Sequence, residues 1–132
     1  MESEPLWVSP DDVLRHNQLT VAETGEPFLL RDYGLLESAV ARARNLWGYE
    51  EERDVLRLGL ALMFGIARNH PFEQGNKRTG FHAFRQFLNM NGYELDLPDV
   101  EAVADAIIAV IEHGMQEEDF ELSIADHVVP LG

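Results

Sequence analysis

The chain has 132 residues, 24 acidic against 10 basic side chains for a formal charge of -14, 45% hydrophobic residues and no cysteine. That length and apolar content predict one globular domain over residues 1–132 rather than a disordered chain, and the missing thiols exclude a disulfide framework and thiolate metal or redox chemistry. The acidic balance argues against direct nucleic-acid binding, no stretch approaches the roughly 18 to 20 apolar residues of a membrane span, and Met1-Glu2-Ser3-Glu4-Pro5 carries acids where a signal peptide carries positive charge, so a cytoplasmic protein is expected.

Charge is unevenly spread. Residues 86–132 hold eleven acids and no base, and so account for -11 of the -14. Such a tail reads first as a solvated face, and second as a dock for a basic segment. Nine of the ten bases are arginine; Lys77 is the single lysine.

In chain order, Ser9-Pro10-Asp11-Asp12 combines an N-cap, a proline at the first helical position and acids in the first turn, which predicts a helix through Leu14 toward Ala22. Residues 24–34, with two glycines and a proline around Phe28-Leu29-Leu30, break the helical period and read as a loop or a small extended flap. A helix follows from Leu35 to about Trp47, with Leu36, Ala39, Val40 and Ala43 on one face. Glu51 to about Asn69 gives the strongest helical pattern, through Val55, Leu58, Leu62, Phe64 and Ile66, and is expected to be the central buried helix. The next helix starts near Asn76, runs through Phe81, Phe84 and Leu88, and stops at Asn91-Gly92. Pro98-Asp99 opens a fifth, with Val100, Val103, Ile107, Ile108 and Ile111 at helical spacing up to His113-Gly114, and a short sixth is expected from about Asp119 to Val129. The predicted class is all-α, a bundle of about six helices with a short loop or β-hairpin flap at 24–34.

Between the two most apolar helical segments lies a polar loop, His70-Pro71-Phe72-Glu73-Gln74-Gly75-Asn76-Lys77-Arg78. A loop entering a helix presents unpaired N–H groups and the positive end of the macrodipole, which together favour an anion. Gly75 allows close backbone approach, while Asn76, Lys77 and Arg78 add an amide and two cations within one turn. Polyphosphate fits this arrangement best. His70, at the exit of the preceding helix, carries the side chain suited to taking a proton from an attacking hydroxyl near neutral pH. The plainer alternative makes Asn76 a cap, Lys77 and Arg78 solvated residues, and His70 a favourable charge at a helix C-terminus. It leaves unexplained why two cations sit against the dipole. Arg68, two residues before His70, is a candidate for reaching target or nucleotide. His82 and Arg85 are candidates for the cleft border, though a solvated face is the simpler reading. His16, His113 and His127 show no metal-ligand spacing, and Trp7 and Trp47 read as core or rim packing.

The loop resembles the signature of the Fic domain superfamily, His-x-Phe-x-acid-Gly/Ala-Asn-Gly/Lys-Arg, and lysine before the arginine makes it similar to the death-on-curing (Doc) toxin branch. The resemblance extends to the segment from Gly34 to Ala39, to Ala67-Arg68-Asn69-His70, and to Asn89-Met90-Asn91-Gly92-Tyr93. It implies a Fic fold, with His70 as the general base, Gly75, Asn76, Lys77 and Arg78 as the phosphate and nucleotide cradle, and Phe72 as the anchor of the loop.

In Fic enzymes that transfer AMP, glycine stands at the position of Lys77 and a second arginine three residues after Arg78; here that position is Phe81. The resemblance to Doc toxins therefore implies transfer of the terminal phosphate of ATP, with Mg²⁺, to a Ser/Thr hydroxyl of a translation factor, elongation factor Tu in that branch. AMP transfer by the same fold is the alternative, and a catalytically decayed interaction domain is another. The last draws on Gln74, which replaces the usual acid at the metal position and offers magnesium only a neutral amide oxygen; Glu73 is the adjacent carboxylate. None of the serines or threonines has glutamate four residues later, so the restraining Ser/Thr-x-x-x-Glu helix of many Fic proteins is not visible in cis. That favours a separate antitoxin whose segment folds as a helix in a groove of the toxin.

Overall fold

The computed structural model describes residues 3–97, 100–114 and 116–132, without the side chains at 100, 101, 107, 111 and 112. The elements are α1 (Pro10–Thr24), α2 (Tyr33–Tyr49), α3 (Val55–Asn69), α4 (Asn76–Met90), β1 (Tyr93–Leu95), α5 (Val100–His113), α6 (Glu117–Ile124), a 3-10 turn (Ala125–His127) and β2 (Val128–Pro130). The all-α expectation holds, with six helices and one small sheet among the described residues. The Pro98-Asp99 helix opening lies outside the described residues.

Helix α1 starts where its cap dictates. The Ser9 hydroxyl accepts from the Asp12 N–H at 3.1 Å while the Asp12 carboxylate accepts from the Ser9 N–H at 3.0 Å, a capping box with Pro10 in the first turn. Burial works to raise the Asp12 pKa, but the bonds from Ser9 and Gln86 and the charge of Arg15 outweigh it and hold the carboxyl below its ordinary value. Helix α2 begins at Tyr33, two residues before the expected Leu35, because the Asp32 carboxylate caps the Leu35 N–H at 3.1 Å.

Helix α3 begins at Val55 and not at Glu51. Glu51 has φ +57°, the left-handed region that ends rather than propagates a helix, and Asp54 supplies the cap by accepting from Leu56 and Arg57. From Leu58 to Ala67 every residue of α3 is buried, as an element apolar on all sides must be. It divides the core into two clusters: one toward α1 and α2 around Val13, Leu36, Leu62, Ile66 and Phe87, the other toward α5 and α6 around Met63, Phe64, Phe84, Val110 and Phe120. Helix α4 lies close against α3 at Gly80, where a Cβ would come within 2.7 Å of the Met63 carbonyl oxygen. A backbone atom cannot rotate aside, so no larger residue fits.

The predicted last helix to Val129 is corrected. Helix α6 ends at Ile124, and Val128–Pro130 pairs antiparallel with Tyr93–Leu95, in the register Tyr93 with Pro130 and Leu95 with Val128. Val128-Val129-Pro130 is a poor helix end and a good edge strand. Its partner lies more than thirty residues earlier, out of reach of any local pattern. Of the expected loop 24–34, residues 25–32 take the loop form, while Thr24 ends α1 and Tyr33 and Gly34 already belong to α2: Gly25 closes α1 with φ +74°, and the extended segment after it makes an antiparallel bridge, Leu30 with Phe72.

Candidate functional site

The loop from His70 to Asn76 is held by three elements that converge on it. Its own end does the first part. Asn76 is nearly fully buried, its Oδ1 accepts from the Phe72 N–H at 2.9 Å, and its Nδ2 donates to the Phe72 carbonyl at 2.8 Å. These two bonds settle which way the amide points, so an N–H faces Nδ1 of His70, at 3.4 Å. That distance is long for a hydrogen bond; the contact orients the ring without committing its tautomer. Phe72 is 1% exposed, in the core cluster toward α1 and α2.

The extended segment before α2 does the second part. Arg31 donates through Nε to the His70 carbonyl at 2.8 Å and through Nη2 to the Asn69 carbonyl at 3.2 Å. These are the exposed acceptors at the end of α3, where a cation also meets the negative end of the dipole. The Arg31 and Asp32 N–H groups both donate to the Pro71 carbonyl, and the Glu73 N–H donates to the Leu29 carbonyl at 3.0 Å. His70 itself has φ +51° and ψ +57°. A non-glycine residue is rarely held there, and the five bonds just named are what hold it.

Helix α1 does the third part, through Asn17, whose Nδ2 donates to the Gln74 carbonyl at 2.8 Å.

These elements enclose a cavity of about 290 Å³, lined by His70, residues 73–78, Thr20, Thr24 and Glu26 from α1 and its exit, and Ile108 of α5. Every residue expected in the phosphate cradle borders it. Gly75, with φ +76°, precedes the first turn of α4, whose opening amides have no intrahelical acceptor. Lys77 and Arg78 are half-buried at the same end. The volume is at the lower end of ligand-sized pockets and suits a phosphate chain better than a whole nucleotide. Two carboxylates, Glu26 and Glu73, border the cavity, and Glu26 is oriented by a 2.6 Å bond from the Thr24 hydroxyl. Magnesium carried by a nucleotide needs one or two carboxylates beside the phosphates, so this donor set is adequate although Gln74 offers only an amide. Among the described residues no group of three or more His, Asp or Glu is placed to hold a metal by itself.

Arg68 is placed elsewhere. It pairs with Glu117 at 2.6 Å, lies over the Phe64 ring at 4.8 Å, and borders a separate cavity of about 560 Å³ between α2 and α3. Arg42 shares the Glu117 carboxylate at 3.2 Å. Trp7 stacks on Phe87 and Trp47 lies under Arg53, in packing roles. Arg31, Asn17 and Glu26 were not legible as site residues. Only Asn17 carried a signal, since it falls in the buried stripe Val13, Asn17, Thr20 and Val21 of α1.

His82 does not border the cavity either. It stacks on His16 across the seam of α1 and α4, with ring centroids 6.1 Å apart. Burial, then the neighbouring His16 and Arg85 and Arg78 against Glu23, pushes its pKa below the ordinary 6.5. The unfolded ring therefore takes up a proton at a higher pH than the folded one. This contribution to stability is complete above about pH 6.5 and declines as the pH falls from there through the lowered folded value. Urea unfolding across this range is expected to show that loss, and His82→Gln to make the profile shallower.

The profile of the Fic/DOC family matches residues 7–88. Toxin Doc of Mycolicibacterium smegmatis is 36% identical over 90 residues, covering 67% of each chain. Protein kinase doc of Escherichia phage P1 is 27% identical over 94 residues, covering 70% of this chain and 75% of that one. No helix among the described residues is long and apolar enough to cross a membrane.

Proposed function

The chain belongs to the Fic/DOC family, and on that premise we propose that it is a Doc-like toxin that moves the terminal phosphate of ATP to a Ser/Thr hydroxyl of a translation factor, elongation factor Tu by resemblance, and so blocks translation. One observation carries the reading: His70, Gly75, Asn76, Lys77 and Arg78 border a single phosphate-sized cavity at the N-terminus of α4. Phe81, where AMP-transferring relatives have a second arginine, is 1% exposed and packed in the core. The charge set of this cradle is thus Lys77 and Arg78 on the helix end. The kinase activity in the name of the phage relative supports the same direction.

In this mechanism His70, held by Asn76 and Arg31, accepts the hydroxyl proton through a neutral ring nitrogen. The hydroxyl oxygen bonds to the terminal phosphorus, the bond to the bridging oxygen breaks, and ADP departs. Negative charge on the transferring group is met by Lys77, Arg78 and the opening amides of α4, already oriented before the reaction begins. Magnesium bound with the nucleotide would neutralise phosphate charge, and Glu26 and Glu73, the carboxylates on the cavity lining, would hold it. Restraint by a separate antitoxin fits the missing Ser/Thr-x-x-x-Glu pattern.

Intact-mass spectrometry of elongation factor Tu after incubation with the chain, ATP and Mg²⁺ tests the reading. A gain of about 80 Da supports it; about 329 Da assigns AMP transfer instead, because the group moved then includes the nucleoside. Gln74→Glu is expected to lower the magnesium concentration for half-maximal transfer by roughly tenfold, since it adds a charged oxygen ligand at the cradle. A magnesium titration of the two proteins checks this.

A further inference from the structure

We infer that Asn17 of α1 is a positioning residue for the anion cradle, setting the direction of the Gly75 amide; the inference rests on the phosphate-binding reading of the site. Asn17 has no exposed surface, and its Nδ2 uses both hydrogens, toward the Gln74 carbonyl at 2.8 Å and the Thr79 hydroxyl at 3.1 Å. Its Oδ1 is buried without a partner among the described residues. A buried amide left half satisfied is costly, and a leucine of similar size would fill the same space at less cost. The amide is therefore explained by what its N–H groups grip.

The Gln74–Gly75 peptide is trans, and a trans peptide carries its C=O and N–H in opposite directions. Fixing the Gln74 carbonyl toward Asn17 turns the Gly75 N–H away from Asn17, at the mouth of α4 where the helix leaves amides for an anion. The same surface of α1 presses on Gly75 from behind: a Cβ there would lie 3.1 Å from Cγ2 of Thr20 and 3.3 Å from Nδ2 of Asn17. The bond to Thr79 has a different consequence. Thr79 is inside α4, its N–H already bonded to the Gly75 carbonyl at 2.9 Å, so that bond ties helix to helix without aiming a loop amide.

The two bonds can be separated. Asn17→Leu removes both, and Thr79→Val removes only the second while keeping shape. Calorimetry with ATP and with inorganic tripolyphosphate, at a temperature where circular dichroism shows each variant folded, is expected to find Asn17→Leu weaker by roughly ten- to a hundredfold for both ligands, as for a lost hydrogen bond to a charged group. Thr79→Val is expected to stay within about twofold of the parent. An Asn17→Leu chain that binds within twofold of the parent overturns the inference, as does a Thr79→Val chain that weakens equally.

If Asn17→Leu does not fold, amide NMR of the parent decides. The Gly75 N–H should move downfield with tripolyphosphate more than the Glu73 N–H, which is already bonded to Leu29; an unmoved Gly75 overturns the inference. A parent that binds neither ligand overturns the phosphate-site reading and this inference together. A parent that binds both with Gly75 unmoved overturns only the role of Asn17.

Discussion

A His70→Ala chain is expected to leave elongation factor Tu at its unmodified mass under conditions in which the parent adds a phosphate, with the transfer rate down roughly 10²- to 10⁴-fold, the usual contribution of a positioned general base. The side chain can be removed with little structural consequence. His70 is exposed, and the contacts that shape the loop there run through its backbone: its carbonyl accepts from Arg31 and its N–H donates to the Ile66 carbonyl at 3.3 Å. The φ of +51° is no better tolerated by alanine than by histidine, so thermal unfolding should be measured beside activity. In cells the same variant should no longer arrest growth. A His70→Ala chain that arrests growth as strongly as the parent, with its unfolding midpoint unchanged, would favour a non-catalytic interaction domain over an enzyme.

Lys77→Ala should be comparably severe by a different route. It removes one of the two cations at the mouth of α4, and the loss of a donor aimed at developing charge costs roughly 10²- to 10³-fold in turnover. Lys77→Arg should restore only part of this, because a planar guanidinium does not replace a compact ammonium at a crowded phosphate. Lys77 also allows a test without mutation. As the single lysine of the chain, it is the one side chain that an amine-acylating reagent modifies, the N-terminal amine apart. ATP should slow its acylation in the parent, and peptide mapping of the labelled chain reads this directly. Equal labelling with and without saturating ATP would place Lys77 outside the nucleotide site.

Much of the frame was legible because its causes are local. The Ser9-Pro10-Asp11-Asp12 start of α1 is a cap acting within one turn, and α3 announces its burial by being apolar on every face. Errors came where a local signal had a competitor. The start of α3 moved from Glu51 to Val55 because Asp54 is the better cap and Glu51 adopts a left-handed turn. The end of α6 moved from Val129 to Ile124 because Val128–Pro130 finds a strand partner in Tyr93–Leu95. Arg68, the candidate for reaching target or nucleotide, stands two positions before His70 and yet does not border the His70 cavity. Two helical positions rotate a side chain by about half a turn, and that rotation carries Arg68 to Glu117 and a different cavity.

The sequence by itself determined the helical class, the loop that carries His70, Gly75, Asn76, Lys77 and Arg78, and the family those residues resemble. All of these are patterns of neighbours within a few turns. The tertiary structure alone decided what holds that loop. Arg31 grips the carbonyls of Asn69 and His70 from 38 and 39 residues away, and Asn17 grips the carbonyl of Gln74 from 57. Such bonds form because a buried or capped polar group must find some partner. Which partner it finds depends on how the helices pack, and no local pattern in the chain records that.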